Sequence, residues 1–473
     1  MAKVNLFLLW LLIPISFQGF SQHAFIGSNR ELFVDDFLID QLDGASLKMH
    51  APKDEGVAFY LDKPWEGKFS LYSTIIKDGD TYRAYYRGLP DVKDGNDREL
   101  TCYAESTDGI NWYKPDLGIF EINGTTKNNV ILVDRELTHN FSPFLDSNPN
   151  AKPNERYKAL AGKQRTGLYA LSSSDGIHWS KMKNEAVLKE GNLDSQNVSF
   201  WSPSENKYLV YFRTKDSGYR SVSRASSLDF ESWSKGRMMK YGNAPLEHLY
   251  TQQTSPYYRA PQIYLAIGGR FMPDKQVVTD EQAATLGVDP NYYKACSDAF
   301  LMTSRGGNLY NRYFMESFIR PGIGLNNWVS RTNYPALNVV QTSPHEMSIY
   351  VNQDYAQSTA HLRRYTIRLD GFASLSAGYS GGEMITKPFV FDGDELELNY
   401  STSAAGEIFI ELLDEKGNKI PGFSKEECQP IIGNELSRTV YWNKSTTVSR
   451  LSGKAVRMKI YLKDAAIYSF RFY

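Results

Sequence analysis

The hydrophobic positions of this chain fall in short runs rather than long helical stripes. TYRAYYRG (81–88), KYLVYFRT (207–214), QIYLAIGG (262–269) and EMSIYVN (346–352) are rich in Tyr, Val, Ile and Phe, and turn residues bound each one. Such runs suit strands, because branched and aromatic side chains pack well on a pleated surface. Helical periodicity is scarce. EQAATLGV (281–288) is the best helical candidate, and it is expected within a loop insertion. The pattern predicts an all-β protein.

The runs recur about every 60 residues, a spacing that suits propeller blades with long inserted loops. Five units are expected between about residues 65 and 372. The first ends in AESTDGINW and the second in SSSDGIHW, while SRASSLDFESW closes the third as a degenerate copy. The fourth covers QIYLAIGGRF to AFLMTSRGGNLY, and the fifth EMSIYVNQDY to LRRYTIRLDGF. In the repeated phrase the Asp bonds its own backbone, the Gly tolerates positive φ, and the Trp is expected to close over the next blade. Asp108 and Asp175 therefore read as turn residues rather than catalysts.

After about residue 374 the texture changes. ELELNYSTS (395–403), GEIFIELLDEKG (406–417), AVRMKIYLKDA (455–465) and IYSFRFY (467–473) alternate apolar and polar residues at period two. The expected organisation is a signal peptide over 1–22, a five-bladed β-propeller carrying the chemistry over 23–374, and a C-terminal β-sandwich over 375–473.

Composition adds limits. The net charge of −1 in 473 residues gives no basic excess of the kind nucleic-acid binding uses. The opening MAKVNLFLLWLLIPISFQGFSQ has one Lys, an apolar run and a small polar exit, which reads as a secretory signal with cleavage near Gln22. It implies export to the periplasm or beyond, and nothing later in the chain is apolar enough for a helical membrane span. Cys102, Cys296 and Cys428 are too few and too far apart for a disulfide framework or a zinc site, so buried free thiols are expected. No nucleotide cradle, Ser nucleophile elbow or His-rich metal spacing is present. No cofactor is expected, and a structural calcium has no support in the sequence.

Five blades, a secretion signal and a C-terminal sandwich resemble the glycoside hydrolases of families 43, 32 and 68. ELFVDDFLID (31–40) and the DGINW-type phrases also look like bacterial proteins related to the family 32 N-terminal domain. The resemblance implies three carboxylates converging in the propeller's central funnel: an Asp on the first blade, a mid-chain Asp, and a Glu after it. Two carboxyl groups suit glycosidic cleavage, one protonating the leaving oxygen and one working from the opposite face. Asp36, with Asp35 beside it, fits the first place; the Pro that normally follows this Asp is absent here. Asp194 in NLDSQNVSFW fits the second, and Glu247 in APLEHLYTQQTSPYYRAP fits the third as the acid.

Further polar residues before apolar strands are candidates to line the funnel: His139, Asn197, His248, Tyr250, Arg259, Asp298, Arg305 and Glu346. The charged loop DVKDGNDRE (91–99) is another. The leading expectation is an exported glycoside hydrolase trimming oligosaccharides from a complex polysaccharide, acting on chain ends because a funnel receives ends. A lyase or dehydratase that eliminates across a uronic acid is the alternative. It would need an arginine to neutralise the carboxylate, with Tyr or His moving protons. A propeller that binds glycans without catalysis is the third reading.

Overall fold

Five separate small sheets arise because each strand-rich unit pairs with itself before the chain moves on. The computed structural model describes residues 23–90, 98–443 and 445–473. Residues 1–22, where a signal peptide is expected, and residues 91–97 lie outside the described residues. The first blade comprises Leu71–Asp78, Thr81–Gly88, Leu100–Ser106 and Val130–Leu132; the second, Ser142–Leu145, Tyr157–Lys163, Gly167–Ser173 and Ser180–Lys181. The third is Val198–Ser202, Lys207–Asp216, Tyr219–Ser227 and Arg237–Met238, and the fourth Thr254–Tyr257, Ala260–Met272 and Cys296–Ser304.

The fifth blade is composite. Tyr334–Pro335 and Val340–Gln341 both pair with Glu346–Gln353, which pairs with His361–Arg368, and the early strand Lys53–Tyr60 forms the outer edge. Pairing a strand from before the first blade with the last blade closes the ring and shields an otherwise free edge. The short helix is Asp280–Thr285, inside the fourth-blade insertion, with Thr279 and Gln282 forming a capping box.

The repeated phrase does the turn work its residues dictate. Asp108 accepts the amides of Ile110 and Asn111, and Asp175 those of Ile177 and His178. Gly109 and Gly176 have φ of 72° and 77°, where a side chain is disfavoured. In the third copy Phe230 occupies that place at φ 68°. The direction of packing is the reverse of the expectation: each turn covers the preceding blade. Trp112 stacks edge-on to Tyr350 of the fifth blade, and Trp179 lies edge-on to Tyr85 of the first.

The C-terminal region forms a ten-stranded sheet around Ala455–Phe472, which pairs with five other strands. A register break between Thr402 and Glu407 divides its pairing with Leu396–Asp414 into two stretches. Phe389, Phe391, Leu398, Ile410, Met458 and Phe472 are among the side chains in its buried core. This domain also takes the start of the chain. Ala24–Gly27, Glu31–Leu32, Ile39–Asp43 and Ala45–Met49 all pair within it, not with the first blade. A buried cluster ties the two domains together: Asp370 accepts from Tyr257 (2.6 Å), Arg259 (2.8 Å) and Ser469 (2.6 Å). All three cysteines are free and buried.

Candidate functional site

The innermost strands of the five blades run the same way along the propeller axis, so residues before them gather at one end and residues after them at the other. Near the middle, amides close the axis. Gln196 donates to the Thr74 hydroxyl at 3.0 Å, and Gln253 donates to Gln196 at 2.6 Å and to the Pro335 carbonyl at 3.0 Å. At the start of the first inner strand stands Tyr72, and before the others stand His139, Asp194, Tyr250 and Arg331. After them lies a cavity of about 650 Å³ lined by Ile75, Phe144, Phe200, Pro256, Leu337 and others. That hollow has no carboxylate or imidazole in its lining. The carboxylates and imidazoles near the axis stand at the entrance end.

Tyr72 is the hub of the entrance. Its φ of 58° follows a break in the pairing of Leu71–Asp78 with the next strand. Gln253, Arg331 and Asn333 also hold positive φ, at 46°, 62° and 67°. Non-glycine residues in this region cost of order 1 kcal/mol each, and such strain gathers where function fixes geometry. The Tyr72 hydroxyl donates to the Asp194 carbonyl at 3.4 Å, and its ring meets the His139 ring edge-on at 6.0 Å. Burial and neighbouring Tyr250 push its phenol well above the ordinary value, although Arg87, Arg213 and Arg331 oppose them. Tyr72 is thus a protonated donor at neutral pH.

His139 is held from behind. Both oxygens of Glu99 lie 2.9 Å from its Nδ1, and Arg87 brings a guanidinium to 3.4 Å from Glu99. Burial pushes the Glu99 carboxyl up, but His139, Arg87 and Lys163 together outweigh it and hold it below the usual carboxylate range. An ionised Glu99 can only accept, so Nδ1 carries the proton. Among the described residues the hydrogen bonds that His139 donates run from Nδ1 to Glu99, and Nε2 is the ring nitrogen left for a reacting group.

Asp194 stands across Tyr72 from this pair, its side chain 55% exposed and in an ion pair with Arg213. Tyr250 completes the ring. Its aromatic face is approached by the guanidiniums of Arg213, Arg220 and Arg331 at 5.3, 5.2 and 5.4 Å from the centroid. Arg220 also lies 4.9 Å from the Phe271 centroid. His248 sits at the margin, accepting from the Arg220 amide at 3.2 Å, and burial together with Arg220 lowers its pKa.

The entrance gathers four of the expected residues: His139, Asp194, His248 and Tyr250. The others sit elsewhere. Asp36 is exposed on the segment leaving Glu31–Leu32 of the C-terminal domain and accepts from Asn311 at 3.0 Å. Asp35 is buried against Arg305 (2.9 Å), which also pairs with Glu31 (2.8 Å). The reason is topological: the chain start was drawn into the other sheet. Glu247 is clamped by Arg270 and Arg312, at 2.8 and 2.9 Å, and Asp298 shares Arg270 at 2.7 Å. Arg259 serves the interdomain Asp370, and Glu346 pairs with Arg364 at 2.8 Å. Asn197 is fully buried and spans the Leu193 and Ser195 carbonyls. These eight are engaged by partners within the fold and leave little for a ligand.

Sequence reasoning missed Tyr72, Arg87, Arg213, Arg220 and Arg331, and took Glu99 only as part of a charged loop. A signal existed for two of them. Tyr85-Tyr86-Arg87 and Tyr211-Phe212-Arg213 repeat an aromatic pair followed by Arg at the same place in the first and third blades. Among the described residues no cluster of His, Cys, Asp or Glu suited to a metal is present, and no helix is long and apolar enough to cross a membrane.

No family model and no curated protein matches the chain. Solved structures that it resembles include glycoside hydrolases. An N-acetylgalactosamine deacetylase from F. plautii, in complex with blood group B trisaccharide, matches at 13% identity and TM-score 0.44, covering 69% of this chain and 96% of that one. For a glycoside hydrolase of Bacteroides ovatus, titled as putative, the values are 13% identity and TM-score 0.38, over 67% and 92% of the two chains. A fructofuranosidase from Schwanniomyces occidentalis complexed with fructosylnystose matches at 10% identity and TM-score 0.38, over 89% and 98%.

Proposed function

We propose that the protein is an exported carbohydrate-active enzyme that cleaves a glycosidic bond at the end of an oligosaccharide, with the axial entrance as its active site. The observation that carries this reading is the Glu99–His139 pair on one side of Tyr72 and Asp194, paired with Arg213, on the other. In a hydrolytic cycle the protonated His139 Nε2 gives its proton to the departing glycosidic oxygen as the C–O bond breaks. Asp194 takes a proton from the water that forms the new C–O bond. Glu99 stabilises the positive imidazole and fixes its orientation. Arg213 pairs with Asp194 and orients it.

A second reading is favoured by the phenols and guanidiniums of the same entrance. In an elimination on a uronic acid, neutral His139 removes the proton beside the carboxylate, the C–O bond breaks, and Tyr72 or Tyr250 protonates the leaving oxygen. The two chemistries leave different products. Neutral and uronate-containing oligosaccharides are incubated with the purified protein, and the products are weighed by mass spectrometry. Addition of one water across the fragments supports hydrolysis. No net mass change with new ultraviolet absorbance supports elimination. Intact substrates throughout would refute both and leave the glycan-binding reading.

A further inference from the structure

We propose that the axial entrance selects an anionic sugar, and that Arg220 is the residue that pairs with its acidic group. The proposal rests on the entrance being a glycan site and holds for either bond-breaking chemistry. Three guanidiniums surround one ring: Arg213, Arg220 and Arg331 all lie within 5.4 Å of the Tyr250 centroid. No two can be farther apart than about 11 Å by that geometry, close to the screening length of about 8 Å at physiological salt. Arg87 adds a fourth cation 5.0 Å from the Tyr72 centroid. Arg213 pairs with Asp194 and Arg87 with Glu99, and Arg331 also has partners of its own, so Arg220 is the one of the four at issue.

Arg220 differs from the others. It is half-buried between the faces of Tyr250 and Phe271, yet its guanidinium makes no hydrogen bond or ion pair with any described residue. Stacking on two rings holds a cation in place while leaving its planar fork of donors open. A fork of N–H groups matches two oxygens of a carboxylate or a sulfate. Elsewhere in the molecule several buried and half-buried arginines are tied to acids, Arg30 with Glu397, Arg259 with Asp370, Arg270 with Asp298 and Arg305 with Asp35, while Arg368 is tied to amide and carbonyl oxygens. An arginine kept free beside two further cations is what an anionic ligand would complete.

Calorimetry of the full chain with sodium glucuronate, glucose 6-sulfate and glucose tests this. The wild type should bind at least one acidic sugar about tenfold or more tightly than glucose, a preference that falls as salt rises. Which of the two acids binds distinguishes carboxylate from sulfate. The preference should largely vanish in Arg220→Gln, persist in part in Arg220→Lys, and remain intact in Lys77→Gln at the far end of the axis. His139→Ala should lose turnover but keep the preference. Equal affinity for glucose and both acids would overturn the inference and leave the glycan reading standing; so would an acid preference unchanged in a folded Arg220→Gln. No binding of any sugar, together with no turnover of any oligosaccharide, would sink both.

Discussion

Glu99 has no access to substrate, yet its loss should cost catalysis as much as stability. In Glu99→Gln the buried carboxylate that holds His139 Nδ1 at 2.9 Å through both oxygens becomes a neutral amide. Hydrogen bonds to a charged group contribute about 1.5–3 kcal/mol, and each 1.4 kcal/mol is a factor of ten. The expected fall in kcat is therefore about ten- to one-hundredfold, with KM moving little, because the substrate contacts are untouched. His139→Ala removes the proton carrier itself and should cost about 10²–10⁴. The decisive measurement is the double variant. If Glu99 acts only through His139, adding Glu99→Gln to His139→Ala should lower kcat no further. Circular dichroism melting tracks the folded fraction, since leaving Arg87 without its carboxylate costs stability as well. Multiplicative losses in the double variant would refute the coupling. So would a Glu99→Gln enzyme that stays folded and fully active.

Other outcomes follow from residues outside the entrance. Asp36→Asn should keep turnover within about twofold, while Glu247→Gln, losing its charged pairs with Arg270 and Arg312, should lower stability by a few kcal/mol, read as a lower Tm, without changing kcat of the folded enzyme. Asp370 is expected to set the acid limb of stability: burial pushes its carboxyl up, but Arg259, Arg30, Ser469 and Tyr257 hold it below the ordinary value. A depressed carboxyl gives stability that is full above its unfolded pKa of about 4 and is lost as pH falls through its folded value. The Tm of Asp370→Asn, lower at pH 7, should accordingly fall less on acidification below about pH 5 than that of the wild type. Gly109→Ala places a Cβ 2.6 Å from Thr342 Cγ2 and 3.1 Å from the Tyr350 hydroxyl, whereas Gly218→Ala at φ 88° meets nothing within 4 Å. Both pay about 1 kcal/mol for a left-handed backbone, so a clearly larger denaturant-midpoint shift in Gly109→Ala measures blade-to-blade packing.

Local pattern alone determined the blades. Strand runs, turn phrases and the change of texture near residue 374 are short-range properties, set by side-chain branching, positive φ and period-two alternation, and all three survive into the fold. The same is true of the residues just before the inner strands, because a propeller carries every such position to its axis: His139, Asp194 and Tyr250 were legible for that reason. Tertiary structure decided the rest. Asp36 lies on a chain start whose partner strands are more than three hundred residues away, and no local signal says which sheet will take it. Glu247 looks like an acid until Arg270 and Arg312 close on it from other segments. Arg220 looks like one more surface charge until Tyr250 and Phe271 fold against it. Whether a charge is spent or available depends on what faces it, and pairing across the fold is not written in sequence order.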